Sequence, residues 1–371
     1  MQGGIAISFI QMKGIEINPE GDSAELQPGL TNGELVRYLW PRGKQAGLYG
    51  LLADQIQEAR VVLADGESVI ASQQTNPDLF WALRGAGHNF GIVTGLKYKI
   101  YDRIPEWTVF TMFFTQDKLE GVFTLTNNYL EEKDHPAELI FWHTFVRRPD
   151  LDPNSAVIVV TLIYGGGPEG LDKFAAPFRA LKPAAEQQLI RAAYPDVFDF
   201  LRNNESSVAI CAKGWNRHLW PNYLNSHNPT ALRRVHTIFD SVTTKYPAMA
   251  NMSVFALEGY SLQAVTQVPA DSTATPFREY PILASPLWAY MDPSYTDDVI
   301  AASKEISETL IEGSGSSQRR AYVNTVFGDE PLPEIYGYEP WRLQKLKALK
   351  KKYDPKGRFN FYAPIDGELE D

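Results

Sequence analysis

Few residues in this chain could carry chemistry, and the densest group of them is a bend. Gly85, Gly87 and Gly91 bracket His88 and Asn89. Glycines so spaced either serve a tight helix-to-strand turn or let bare backbone approach a ligand. His88 could touch such a ligand, and a solvent-side loop histidine is the plainer reading. His143 lies in IFWHTFVRR, where alternation puts it on one strand face. It is a candidate for lining a cavity beside Arg147 or Arg148, against ordinary packing. Tyr322, in AYVNT, could exchange a proton because neighbouring charge tunes a phenol, whereas the Thr325 hydroxyl has no accessible pKa near neutrality. A core tyrosine with a satisfied hydroxyl is the competing expectation. His218, His227 and His236 lack metal-ligand spacing with carboxylates, so no metal is expected. Cys211 is the single cysteine, cannot form an intrachain disulfide, and reads as a small buried hydrophobe. No Gly-x-Ser-x-Gly elbow or P-loop occurs.

Composition narrows the partners. At 371 residues the chain exceeds the usual single-domain range, and its 44% hydrophobic and 12% aromatic content favours a large core with aromatic-lined cavities. Against 45 acidic residues stand 35 Lys and Arg, a net charge of -10, which repels phosphate backbones and argues against nucleic acid. No apolar run reaches about eighteen residues and the start lacks a signal-peptide pattern, so no membrane partner is expected. The chain as given reads as cytoplasmic, or as secreted if an upstream signal precedes it.

Periodicity supplies the elements that must position these residues. Alternation at Ile5, Ile7 and Phe9, at Ile15 and Ile17, and at Ala24 and Leu26 predicts short strands, with a turn over Asn18–Asp22. Thr31 and Glu34 have capping-box spacing and open a helix that ends at Pro41 and Gly43. A hairpin with an Asp65-Gly66 turn follows, and then a helix opened by Asn76-Pro77-Asp78 with Leu79, Phe80 and Leu83 inward. Beyond Pro105, strands are predicted at 107–114, 139–146, 156–164, 209–213 and 252–257, with helices at 118–130, 170–181, 230–245 and 295–311. Together they imply an antiparallel sheet covered by helices on one face, within an α+β fold. A helix over 340–352 closes the chain, its lysine run taken as a solvated face.

Three ordered blocks carry a resemblance. ARVVLADGESVIASQQTNPDLFWALRGAGHNFGIVTGLKYKIY, AYVNTVFGDE and KYDPKGRFNFYAPI resemble the berberine bridge enzyme-like FAD-linked oxidoreductases of the vanillyl-alcohol oxidase superfamily. That resemblance implies a partial PCMH-type FAD-binding domain over 1–104, a substrate domain over 105–320, and a segment over 321–371 that returns to the first. It implies FAD as cofactor, with Asn89, Gly91, Ile92, Val93, Tyr322 and Asn324 as cofactor-binding residues, the glycine corner lending main chain to the adenine and pyrophosphate end. It further implies a small secondary metabolite as substrate, hydride transfer to flavin N5, and dioxygen as acceptor.

The chain also departs from that family. The histidine loop that anchors flavin covalently precedes Gln2-Gly3-Gly4, and a glycine-rich loop with its cysteine is missing between Pro41 and Ala59. FAD is therefore expected to be non-covalent if bound, and Arg42 and Lys44 are the nearby cations. Where relatives read Tyr-x-Asn-Tyr, Thr325 replaces the second tyrosine, and the catalytic residue is left unassigned. Two other expectations follow: a flavin-independent isomerase, cyclase or non-catalytic remnant, or a truncated gene model of an oxidase.

Overall fold

The computed structural model describes residues 4–47, 50–130, 136–204, 206–207, 211–328 and 330–365. The chain divides into two compact units. One takes Met1–Arg103, Val268–Pro276 and Tyr338–Asp371, the other Ile104–Gln267 and Phe277–Gly337.

In the first unit β1 (Ile15–Ile17), β2 (Ser23–Leu26), β4 (Ile56–Val62), β5 (Ser68–Ser72) and β6 (Ile92–Lys99) form one antiparallel sheet in the order β1-β2-β6-β4-β5. β3 (Lys44–Gln45) and β7 (Tyr101–Asp102) pair separately. The predicted capping box is present: Thr31 Oγ1 accepts the Glu34 N–H at 3.2 Å and the Glu34 carboxylate accepts the Thr31 N–H at 2.9 Å, opening α1 (Asn32–Leu39). Between β4 and β5 the predicted hairpin turn forms, with Gly66 at φ 92° and Asp65 Oδ1 accepting the Glu67 N–H at 2.9 Å. The alternation at Ile5, Ile7 and Phe9 does not become a strand. No ladder receives it, and Ile5 stays 86% exposed.

α2 (Pro77–Ala86) buries Leu79, Phe80 and Trp81, while Leu83 is only half-buried. Asn76 does not cap the helix with its side chain; it adopts φ 47° and donates to the Ile70 carbonyl at 2.7 Å. At the far end the helix kinks at Arg84 and Gly85. Gly85 has φ 149°, and a Cβ there would lie 2.4 Å from the Thr275 nitrogen, so both conformation and space require glycine.

The second unit carries an eight-stranded antiparallel sheet. Its strands are β8 (Trp107–Phe114), β9 (Leu139–Val146), β10 (Val157–Tyr164), β11 (Ala185–Ala192), β12 (Asn216–Leu219), β13 (Asn222–Leu224), β14 (Val254–Gly259) and β15 (Ile282–Tyr290). Their order is β11-β8-β10-β9-β14-β15-β12, with β13 also on β15. Helices α3 (Leu119–Leu130), α4 (Pro168–Ala180), α6 (Pro229–Lys245) and α7 (Thr296–Gly313) pack on one face, and α5 (Tyr194–Phe200) contacts β8 and β11. Phe123, Phe178, Phe239 and Ile306 from those four helices meet Phe110, Phe141 and Trp288 of the sheet in one apolar core. The α+β expectation of an antiparallel sheet covered on one face is met. The strand expected at 209–213 lies partly outside the described residues, and Cys211–Lys213 is not strand. β15 escaped the sequence reading because Pro286 interrupts its pattern, and β11 because AEQQLIRA is largely polar.

α8 (Pro340–Tyr353) closes the first unit. Its lysine run is not uniformly solvated. Lys350 is 2% exposed and donates to the Asp354 carboxylate at 2.7 Å and the Asn89 carbonyl at 2.9 Å. Lys345 lies over the Trp81 ring at 3.9 Å, and Lys352 pairs with Asp78 at 2.6 Å.

Candidate active site

Strand alternation decides what the sheet of the second unit shows on the face away from its helices. In register across five neighbouring strands stand Thr111, Thr161, Trp142, Glu258 and Leu283, continued by Tyr223 of β13. Phe255 and Leu257 on β14 belong to the helix-side core, so Glu258, between Leu257 and Gly259, turns to the other face. A carboxyl in an apolar strand is rare without a partner. Here the partner is a phenol: Tyr260 donates its hydroxyl to Glu258 Oε2. Among the described residues no lysine or arginine pairs with Glu258. Burial pushes its carboxyl above the ordinary range, and the Tyr260 hydrogen bond offsets this only in part.

More phenols surround it. Tyr322 lies edge-on to Tyr223 with ring centroids 6.1 Å apart, and its hydroxyl accepts from Asn324 Nδ2 at 2.7 Å. Burial and then the Glu258 charge raise the Tyr322 phenol, and burial followed by Glu258, Tyr322 and Tyr194 drives that of Tyr260 well up. Tyr260 nevertheless keeps 42% of its surface accessible. The structure thus brings Tyr322 and Asn324 beside Glu258, Tyr260 and Tyr223, three residues that sequence reasoning missed. One signal was available: a glutamate in phase with the exposed positions of VFALEG, followed by Gly-Tyr.

The other four expected residues lie in the first unit. Asn89 is fully buried, and its amide is engaged by the chain's own closing segment: Nδ2 donates to the Ala363 carbonyl at 3.3 Å and Oδ1 accepts the Ile365 N–H at 2.9 Å. A Cβ on Gly91 would lie 2.5 Å from Val61 Cγ1 and 2.9 Å from the Val62 oxygen, so packing against β4 already demands glycine there. Ile92 and Val93 pair with Val62 and Val61 of β4. On β6's other edge, β2 pairs only from Leu96 onward, and among the described residues no strand pairs with the Ile92–Gly95 edge. Such an edge offers unpaired main-chain donors and acceptors. Arg42 and Lys44 are already engaged, Arg42 over the Tyr38 ring and Lys44 with Asp102 at 2.6 Å.

Several other candidates resolve differently. His143 does not line a cavity: it is buried on the helix side, Nε2 against Thr126 Oγ1 at 2.7 Å, with burial lowering it to about 4. Arg147 bonds Thr243 and the Asp240 carbonyl, and Arg148 pairs with Asp150 at 2.6 Å. His88 is exposed, edge-on to Tyr362. Cys211 is exposed rather than buried.

This arrangement has known counterparts. No family model matches the chain. FAD-linked oxidoreductase chry5 of Gibberella zeae is 33% identical over 98% of this chain and 77% of its own length. For FAD-linked oxidoreductase anuG of Penicillium roqueforti the identity is 33% over 98% of this chain and 76% of its own. Among solved structures, xylooligosaccharide oxidase from Myceliophthora thermophila superposes with a TM-score of 0.78 at 22% identity, covering 98% of this chain and 82% of that one. Physcomitrella patens BBE-like 1 gives 0.78 at 21% identity, covering 97% and 81%. The chain belongs to the FAD-linked oxidoreductases, with the fold of the berberine bridge enzyme-like oxidases. The chry5 alignment runs over 394 positions against a chain of 371 residues, so that relative carries internal residues lacking here. Among the described residues no helix is long and apolar enough to cross a membrane.

Proposed function

We propose that this chain is an FAD-dependent oxidoreductase that oxidises a small secondary metabolite on the sheet face of its second unit that points away from the helices. The observation that carries the proposal is the relationship to FAD-linked oxidoreductases along 98% of the chain. The residues present fit a non-covalent flavin dinucleotide at the open main-chain edge of Ile92 and Val93. Asn89 and Lys350 hold the closing segment in place, and Gly91 lets β6 lie close on β4. Tyr322 and Asn324, joined by the Asn324 Nδ2 hydrogen bond to the Tyr322 hydroxyl, remain proposed as cofactor contacts. With Arg42 and Lys44 engaged elsewhere, the pyrophosphate depends on main-chain N–H groups.

Bound flavin supplies a hydride acceptor at N5, with dioxygen as the proposed final acceptor. The chain's own contribution is to orient the substrate against Trp142, Leu283 and Tyr223, and to take up a proton. Titration of the purified protein with FAD tests the reading. The expected outcome is saturable uptake, with the visible flavin bands co-eluting with protein after gel filtration and released by acid. A flavin-independent isomerase or binding scaffold predicts that the bands stay with the small molecules.

A further inference from the structure

We propose that a polar cavity at the rim of the second unit's sheet is a carboxylate subsite, in which Arg320 receives the acid end of the substrate. The inference rests on the oxidoreductase reading above and assigns it a substrate class, a metabolite bearing a free carboxylate.

The cavity has a volume of about 220 Å³, and its wall includes Tyr223 of β13, Tyr280 just before β15, Ser314 and Ser316 just past α7, and Arg320. Sites that hold a whole drug-sized ligand run to roughly 300–1,000 Å³, so this one takes one end of a molecule. Among the described residues no carboxylate lines it. Asn225 and Gly315, also in the wall, are exposed and open it to solvent. Gly315 turns at φ 69°, and a Cβ there would meet nothing within 4 Å, so the turn leaves space in front of it.

Neutral groups aim Arg320. Its Nη1 donates to the Gln318 carbonyl at 2.9 Å and to Ser316 Oγ at 3.1 Å, and the guanidinium lies 4.6 Å over the Tyr280 ring. The main chain is fixed too, because the Arg320 carbonyl accepts the Tyr223 N–H at 2.8 Å. These contacts orient the planar fork without cancelling its charge. Nη2 reaches the Gln318 side-chain oxygen at 3.4 Å, the longest of the three side-chain hydrogen bonds, and Gln318 is exposed. A carboxylate oxygen at that place replaces a neutral acceptor with a charged one, and charge-assisted bonds are shorter and roughly twice as strong. Tyr223 supplies the link to the substrate. The residue that walls the cavity lies edge-on to Tyr322, with ring centroids 6.1 Å apart. A ligand with its acid end at Arg320 therefore extends past Tyr223 toward Tyr322 and the sheet face away from the helices.

Isothermal titration calorimetry of the full chain without FAD tests the subsite, with trans-cinnamate as probe and cinnamamide as its uncharged counterpart. Saturable binding of cinnamate is expected, tighter than that of cinnamamide by about tenfold or more. Arg320→Gln should weaken cinnamate by about tenfold or more and leave cinnamamide unchanged. In Gln318→Glu the chain supplies its own carboxylate to Nη2, and cinnamate should again weaken by about tenfold. Gln318 is exposed, so its variant stays informative if Arg320→Gln misfolds. Cinnamate bound no tighter than cinnamamide, or unmoved in whichever variant folds, overturns the proposal. Inorganic phosphate bound as tightly as cinnamate overturns the carboxylate class. After FAD loading, cinnamate is expected to shift the visible flavin spectrum with the midpoint found by calorimetry, and binding that leaves the spectrum unmoved overturns the link to the substrate. If FAD fails to bind, the oxidoreductase reading fails, while calorimetry still decides the subsite.

Discussion

Asp354 of the first unit and Glu258 of the second are both carboxyl groups withdrawn from bulk water, and their surroundings differ in kind. Burial opposes the charge of Asp354, but the Lys350 ammonium at 2.7 Å and the N–H groups of Phe359 and Arg358 outweigh it and hold the carboxyl below its usual range. Glu258 has a single phenol as hydrogen-bond donor and no cation among the described residues, and its carboxyl is raised. A carboxylate met by three donors is a structural rivet, because protonating it would break several bonds at once. One left short of donors can take up a proton at small cost. The comparison teaches that partners, rather than burial as such, separate holding from reacting.

The comparison is broken most sharply at the rivet. Lys350→Met leaves Asp354 buried without its cation, and a loss of about 3–5 kcal/mol is expected from urea unfolding at neutral pH. If the loss is below about 1 kcal/mol, the ion pair is not what secures the closing segment. Removing Asp354 as well, in Lys350→Met/Asp354→Asn, is expected to recover part of that loss.

Acid sharpens the contrast within the second unit. Burial lowers folded His143 to about 4 against an ordinary value near 6.5. Between those values the unfolded chain binds the proton and the folded one does not. Stability is therefore complete above pH 6.5 and is expected to fall as pH drops toward 4, by roughly 3 kcal/mol from this group. Asp354, held low, weakens the fold in the same direction only as pH falls below the ordinary aspartate range. His143→Phe should flatten the pH 6.5 to 4 portion of the curve of unfolding midpoint against pH.

The glycine corner yields a smaller effect of definite meaning. In Gly91→Ala the new methyl meets Val61 and the Val62 oxygen, and about 1–3 kcal/mol should be lost in the protein without FAD. A glycine kept only for cofactor clearance would leave that stability unchanged and weaken FAD uptake instead. The smallest effect is expected at Lys44→Ala. Its partner Asp102 is largely exposed, so less than about 1 kcal/mol should be lost, with FAD affinity in the titration unaltered.

Local patterns were legible in the residues alone. The Thr31–Glu34 capping box, the Asp65-Gly66 hairpin and the apolar periods of β8, β9, α3 and α6 depend on neighbours a few positions away, and each formed where its pattern lay. The resemblance carried by three blocks reached the family for a related reason, since short runs around tight turns tolerate few replacements. Burial of Lys350 was not legible, because helical periodicity assigns a face and says nothing of a carbonyl from Asn89 arriving 261 positions away. Glu258 was missed for the same reason. Its neighbours Trp142 and Leu283 lie on strands distant in sequence, and register is set by pairing across the whole sheet.

By itself, then, the amino-acid order determined the locally patterned elements and the family, since these follow from interactions within a turn or a strand, while the polar β11 and the proline-interrupted β15 needed their partners in the sheet. Tertiary structure decided which charged groups are neutralised and which are left reactive. That outcome depends on low-dielectric surroundings assembled from remote strands, and no local pattern encodes it.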